Sequence, residues 1–232
     1  VTYPIAEIFH SVQGEGFWTG TPMMFVRLAG CNVGKYDAGG ETPVPQPLTE
    51  FQLFHSKKHS ICTTFDGQLF LCDTDYHTTA KLTPQQIAAE LAKEQHVCIT
   101  GGEPLLHDLD PLIASIPDHV MIHIESSGTV PFKELKDPVH ALWLTCCPKS
   151  VNGQVLVDDF LDFTDEVKLL VGPGFKEELM ISFELACDNL YLQPINGVHE
   201  VWKENLNRCL DLLHTHPNWK LSAQLHKYLE VR

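Results

Sequence analysis

Residues 83–104 read TPQQIAAELAKEQHVCITGGEP, and this stretch decides the fold class. Its first half opens a helix. Thr83 is placed to cap it, Pro84 stands at the first helical position, and Gln86 can return a hydrogen bond from the third. Ile87 and Leu91 fall four apart on one face, so the helix is expected to run to about Lys93. His96 to Thr100 then reads as a buried strand. It enters Gly101-Gly102-Glu103-Pro104, where paired glycines let backbone turn tightly and approach a ligand. Helix, strand and tight turn in succession are the unit of a parallel α/β sheet.

The same alternation extends outward in both directions. Strands are expected at 3–9 and 23–29 before it, and at 120–125, 141–146, 166–171 and 189–193 after it, with Lys220–Leu225 as a last one. Helices are expected near 108–116, 131–136, 176–186 and 202–214. About six parallel strands are too few for a closed eight-stranded barrel, which takes about 250 residues. The expected fold is therefore α/β: a partial, open (β/α) barrel with about six mostly parallel strands. No repeat or linker divides the chain, so residues 1–232 read as one domain. An irregular insertion is expected at about 32–71, dense in Gly and Pro between Gly34 and Pro47.

Composition narrows the function classes. The 232 residues are 44% hydrophobic and 20% charged, which suits a globular chain. The 16 Lys and Arg against 30 Asp and Glu give a net charge of -14. Such a chain is not expected to bind nucleic acid or an anionic membrane, both of which need clustered cations. A small anionic substrate stays possible, because a few local cations suffice for it. No apolar run reaches the roughly 18 residues of a membrane helix, and the first residues lack the pattern of an export signal. A cytoplasmic protein is expected.

Eight cysteines, at 31, 62, 72, 98, 146, 147, 187 and 209, are many for such a protein. Cys31 directly follows a predicted strand. Cys62 and Cys72 flank an Asp66-Gly67 turn. Three thiolates can hold three irons of a [4Fe–4S] cluster and leave the fourth iron open to another ligand. Spacing alone leaves unrelated buried thiols equally open, and a zinc site lacks a close Cys or His pair. Cys98, Cys146 and Cys147 are rivals to Cys62. Geometry offers one test. A two-residue Asp-Gly loop would send Cys62 and Cys72 to opposite faces of the hairpin. A three-residue loop, Phe65-Asp66-Gly67 with Gly67 left-handed, would pair Cys62 with Phe70 and bring Cys72 to the same face.

The glycine turn then acquires a context. Thr100-Gly101-Gly102-Glu103-Pro104 resembles the Gly-Gly-Glu-Pro motif with which radical S-adenosylmethionine enzymes bind the methionine amino group of their cofactor; Glu103 can accept from an ammonium. Over nearly its whole length the chain resembles the 7-carboxy-7-deazaguanine synthase family. The matches run in order: Glu7-Ile8-Phe9, Val12-Gln13-Gly14-Glu15-Gly16, Phe25 to Asn32, Cys72-Asp73-Thr74-Asp75, Glu125 to Thr129, Pro148-Lys149, Leu192-Gln193-Pro194 and Leu221 to Lys227. Three features depart from that pattern: both gaps between the candidate ligands are long, Cys147 stands where Ser is usual, and the tail ends Leu229-Glu230-Val231-Arg232.

The resemblance implies a reaction: 6-carboxy-5,6,7,8-tetrahydropterin to 7-carboxy-7-deazaguanine with loss of ammonia, on the route to 7-deazapurines such as queuosine. It implies a [4Fe–4S] cluster on Cys31, Cys62 and Cys72, S-adenosylmethionine and Mg²⁺, with Thr74 as a magnesium ligand. It implies substrate contacts from Val12, Gln13, Gly14, Arg27, Thr100 and the terminal Arg232, and catalytic roles for Glu15 and His226. Cofactor contacts fall on Leu71, Cys72, Asp73, Gly102, Glu103, Ser127, Cys147, Pro148, Lys149, Gln193, Pro194, Ile195 and Asn196. A reductant protein such as a flavodoxin and a homodimer are implied as partners. Blander readings stay open: Arg27 as an exposed strand cation, Glu15 as a loop carboxylate, Thr74 as a turn cap, Ser127 and His226 as structural residues. Two rival functions also stay open, a protein-activating radical S-adenosylmethionine enzyme and a non-catalytic iron–sulfur or zinc protein that binds a partner.

Overall fold

The structure is a computed structural model and describes residues 1–34, 60–133, 141–151, 156–157, 159–197 and 200–229. Strand β1 (Tyr3–Val12) pairs antiparallel with β2 (Pro22–Leu28), and a short edge strand, β5 (Ala80–Leu82), pairs antiparallel with β1. From β2 onward the sheet is parallel. It continues through β6 (His96–Gly101), β7 (Met121–Ser126), β8 (Leu142–Cys146), β9 (Glu166–Val171), β10 (Asn189–Pro194) and β11 (Trp219–Leu221). Each strand from β7 lies beside its predecessor, and β6 lies beside β2, so the nine-stranded sheet winds in one direction and ends on β11 and β5. Right-handed crossovers in such a sequence put all connections on one face. The result is the open, partial barrel expected, not a closed one. A separate two-stranded hairpin holds β3 (Ile61–Thr63) and β4 (Leu69–Leu71).

The helices lie outside. In α1 (Pro84–Leu91) the Thr83 hydroxyl accepts from Gln86 N at 3.3 Å, while Thr83 N donates to Gln86 Oε1 at 2.8 Å, the reciprocal cap its sequence announces. A one-turn α2 (Asp110–Ile113), the long α3 (Lys203–Thr215) and a short α4 (Leu225–Leu229) complete the set described. The two faces of the strands differ sharply. Val97, Ile99, Ile122, Ile124, Val167, Leu169, Leu190 and Leu192 point outward into one continuous core with Ile87, Leu91 and Leu212. Each such side chain contributes about 1.5–3 kcal/mol by leaving water. The alternate positions point inward and include Thr100, His123, Glu166, Lys168 and Gln193, all buried. Buried charges at best break even against apolar residues of the same size. The outer face therefore stabilises the fold, and the inner face is built for something else.

Several expectations need correction. Strand β1 runs to Val12, because its last residues pair with the start of β2. Seven strands, not about six, are parallel once β2 is counted. The helix expected at 108–116 shrinks to Asp110–Ile113, since Pro117 disfavours helical backbone at Ile116. The segment 176–186 is a 3₁₀ helix, Glu177–Phe183. Residues 131–133 are not helical, and 134–136 lie outside the described residues. The last strand stops at Leu221, and Leu225 begins α4 instead. Of the insertion at 32–71, residues 35–59 lie outside the described residues, and residues 61–71 form the hairpin weighed from the sequence. Among the described residues, no helix is long and apolar enough to cross a membrane.

Candidate active site

One cavity of about 750 Å³ opens at the carboxyl ends of the parallel strands and reaches down into the barrel. That is in the upper part of the range for small-molecule sites. Its opposite end is plugged by the turn between β1 and β2. Trp18 packs there against His96, His123 and Trp143, and Phe17 stacks on Trp143 with ring centroids 4.9 Å apart.

The rim of the cavity carries the thiols. In the β3–β4 hairpin Cys62 faces Phe70, and Phe65-Asp66-Gly67 is the loop, with Gly67 at φ +90°. This is the bulged register that sequence geometry required. Cys72 N donates to Ser60 O at 2.8 Å, which extends the ladder one pair past β4. Cys62 and Cys72 thus share a face. The neighbouring Cys72 and burial push Cys62 well up, while the neighbouring Cys62 lowers Cys72 to about 7 against its own burial. Cys31 approaches from the end of β2, its sulfur accepting from Val33 N at 3.4 Å and Gly34 N at 3.5 Å. All three line the same cavity. Three thiols on one cavity can hold three irons of a cluster and leave the fourth open, whereas a structural zinc site takes four protein ligands. Of the rivals, Cys98 is fully buried against Met23 and Phe25, and Cys146 lies in the outer core. Cys147 does line the cavity, beside Lys149.

The hairpin is pinned to the barrel at three points. Ser150 N donates to Thr63 O at 2.9 Å, and Gly174 N donates to Gln68 Oε1 at 2.9 Å. Asp66 accepts from the Thr64 hydroxyl and from Lys176 N at 3.2 Å, fixing the loop against the chain after β9.

The glycine turn after β6 is a packing device. A Cβ on Gly101 would stand 2.1 Å from Leu28 O, and one on Gly102 would stand 2.1 Å from Gly30 O. Only glycine lets the β6 end lie this close to the loop that carries Cys31. Glu103 is fully buried and does not line the cavity. Its carboxylate accepts from Ser126 Oγ at 2.9 Å, Ser127 N at 2.8 Å, Leu105 N at 3.1 Å and the Ser127 hydroxyl. It ties the ends of β6 and β7 together. Pro148 also falls outside the lining, whereas Leu71, Asp73, Gly102, Ser127, Cys147, Lys149, Gln193, Pro194, Ile195 and Asn196 belong to it.

The floor is polar and charged. Val12, Gln13, Gly14, Glu15, Arg27 and Thr100 all line it. Lys168 Nζ sits 2.6 Å from Glu15 Oε2 and 3.2 Å from Glu125 Oε1. Burial opposes charge on Glu15, but Lys168 outweighs it and holds this carboxyl at about 2. Gln193 and Gln224 also donate to Glu15, at 3.1 and 2.9 Å. Arg27 pairs with Glu7 at 2.9 Å and donates to Thr74 Oγ1 at 3.3 Å. Asp73 pairs with Lys227 at 2.8 Å; burial would raise its pKa, but Lys227 holds it at about 2. The C-terminal segment roofs this floor. Leu225 N donates to Gly14 O at 2.7 Å, and a Cβ on Gly14 would meet His226 Nδ1 at 2.5 Å. His226 lines the cavity, and Arg232 lies outside the described residues.

Sequence reasoning missed Glu7, Glu125, Lys168, Gln224 and Lys227 as cavity residues. One signal was available for Lys168. Glu166-Val167-Lys168-Leu169-Leu170-Val171 is an entirely buried strand, and a charge inside such a run is retained for a partner.

No protein-family model matches the chain. It is 32% identical, over 238 residues, to 7-carboxy-7-deazaguanine synthase from Synechocystis, covering 100% of this chain and 95% of the relative. It is 31% identical to the protein of the same name from Escherichia coli K12, covering 99% of each. The same name belongs to a Bacteroides thetaiotaomicron relative, 31% identical over 98% of each chain. Among solved structures, that of QueE from Escherichia coli superposes with a TM-score of 0.65 at 27% identity, covering 97% of this chain and 95% of the other.

Proposed function

The chain belongs to the 7-carboxy-7-deazaguanine synthase family and is an enzyme, and on that premise we propose that it converts 6-carboxy-5,6,7,8-tetrahydropterin to 7-carboxy-7-deazaguanine with loss of ammonia, in the biosynthesis of 7-deazapurines such as queuosine. The reading includes a cytoplasmic homodimer and a flavodoxin-type reductant. The observation that carries it is the meeting of three thiols and a carboxylate-rich floor in one cavity at the strand ends.

The residues present fit a cluster. Cys62 and Cys72 sit on one face of a pinned hairpin, Cys31 faces them, and no fourth cysteine is needed for an iron that stays open. When bound and reduced, the cluster supplies the electron that splits S-adenosylmethionine into methionine and a 5′-deoxyadenosyl radical. Around it the protein positions and excludes water. The Gly101-Gly102 backbone, Ser127 and the Gln193 to Asn196 stretch surround the volume for S-adenosylmethionine. Glu103 acts one step back, holding Ser126 and Ser127 in place. Arg27 presents a guanidinium that can pair with the substrate carboxylate. Glu15, held ionised, accepts substrate N–H groups. Thr74 Oγ1 accepts one bond from Arg27 and keeps a second lone pair with which it could ligate Mg²⁺.

Anaerobic turnover with carboxytetrahydropterin, S-adenosylmethionine and a reductant tests the reading. Deazaguanine product is expected. Cleavage of S-adenosylmethionine without that product would move the assignment to another radical enzyme, and no cleavage at all would remove the radical chemistry.

A further inference from the structure

Lys168 stands out as a cation with no assigned task. Its side chain is 3% exposed, in the middle of β9, and its ammonium touches two carboxylates from distant parts of the chain: Glu15 before the Gly16 turn and Glu125 on β7. A lone buried ammonium would cost too much to be incidental.

Counting acceptor sites gives it a role. An ionised carboxylate offers about four lone-pair sites. Glu15 Oε1 accepts from Gln193 and Gln224, and Oε2 accepts from Lys168. Glu125 Oε1 accepts from Gln13 at 3.1 Å and Lys168 at 3.2 Å, and Oε2 accepts from Thr100 at 3.3 Å. Among the described residues each carboxylate thus has three sites filled by the protein and one left, on Oε2 in both cases. Both line the cavity. Without a cation between them, two carboxylates so placed would repel, and one would take up a proton and become a donor.

Resting on the pterin reading above, we infer that Lys168 is a positioning residue that clamps Glu15 and Glu125 side by side, so that one free acceptor site on each is presented to the N–H groups of the substrate. The groups facing this clamp are Glu166 on the same strand, His226 from α4, Arg27 from β2, Cys98 from β6 and Cys147 just after β8. Lys168 touches no candidate cluster ligand.

The test is the affinity of the holoenzyme for 6-carboxypterin, a stable oxidised counterpart of the proposed substrate, followed by its fluorescence from about pH 5.5 to about 8.5. Wild-type protein, Lys168→Met and Lys168→Arg are compared. The ratio of variant to wild-type affinity at each pH cancels the ligand's own titration. For Lys168→Met a loss of about tenfold or more is expected near pH 6, shrinking as pH rises and both carboxylates ionise again. Lys168→Arg, which keeps the cation, should hold a ratio that does not change with pH. If Lys168→Met does not fold, the double variant Lys168→Met/Glu166→Gln, with one buried carboxylate fewer, takes its place with the same expectation. A ratio for Lys168→Met that is constant with pH would overturn the clamp and leave the pterin reading standing. No binding by wild-type protein at any pH would overturn the pterin reading and the clamp with it.

Discussion

Single side chains divide here by what they touch. Cys62 and Cys98 are both buried cysteines, 2% and 0% exposed. Cys62 meets Cys72 at the cavity, while Cys98 meets Met23 and Phe25. An anaerobic iron and sulfide count should therefore separate them. Cys62→Ala is expected to lose the cluster, and Cys98→Ala to keep it; a full cluster in Cys62→Ala would remove that residue from the site. Glu166 gives a second prediction. It is 2% exposed, and burial, outweighing Lys168 and the Phe17 N–H, pushes its carboxyl up to about 7 from 4.5. The unfolded chain releases this proton at lower pH than the native protein does. The favourable protonated state is thus fully available below about pH 4.5, and its contribution is lost as pH rises through about 7. Glu15 and Asp73, both held at about 2, act in the opposite sense and lose their contribution as pH falls below about 4.5. Glu166→Gln should match wild type in unfolding free energy near pH 4.5 and exceed it near pH 8, by roughly 1–3 kcal/mol. Parallel curves across that range would refute the buried proton. The raised proton affinity of Glu166 is not legible in sequence: Lys168 lies two residues along the same strand face, but the burial and the Phe17 N–H come from the fold.

Elements were legible where the determinant is local. The α1 cap is written in four consecutive residues, and the β3–β4 register follows from the demand that two thiols share a face. The segment 176–186 misled because its determinant is not local. Its sequence has helical spacing, yet Lys176 N is taken by Asp66 and Phe183 packs edge-on against Phe65 at 5.3 Å. Both anchors belong to the cysteine hairpin, so docking sets the tighter 3₁₀ winding. The same docking rests on Gln68, which accepts from Gly174 N and donates to Asp66 at 2.8 Å. Gln68→Ala removes this bridge without touching a thiol. It should leave the barrel folded but release iron to a chelator about fivefold faster, the size expected from one net hydrogen bond of about 1 kcal/mol. Unchanged release would show that the Ser150–Thr63 and Lys176–Asp66 bonds hold the hairpin without Gln68. The glycine turn was read for its motif, but the reason for its glycines, close approach to Leu28 O and Gly30 O, appears only when β2 and β6 lie side by side.

At the scale of the whole molecule, the sheet separates stability from chemistry by its two faces. Alternation along each strand sends aliphatic residues outward to the helices and polar ones inward. The open barrel followed from counting strand and helix alternations, whereas the inner constellation could not be assembled from sequence because its members lie on six different elements and loops. Both sheet edges, β5 and β11, are only three residues long, which limits pairing with other chains.

The order in which the strands are laid side by side also has a consequence in time. From β6 to β11 each new strand adds to the one just made, so these contacts are short-range and can form in succession. The bond from Gln224 to Glu15 spans 209 residues and gains nothing from that succession. Closing so long a loop is the costlier, later event, and such late contacts are the first to open in the native state. In hydrogen–deuterium exchange the amide of Leu225, bonded to Gly14, should exchange through local opening well before those of β6 to β9. The polar floor of the cavity is then the last part of the protein to settle and the first to breathe.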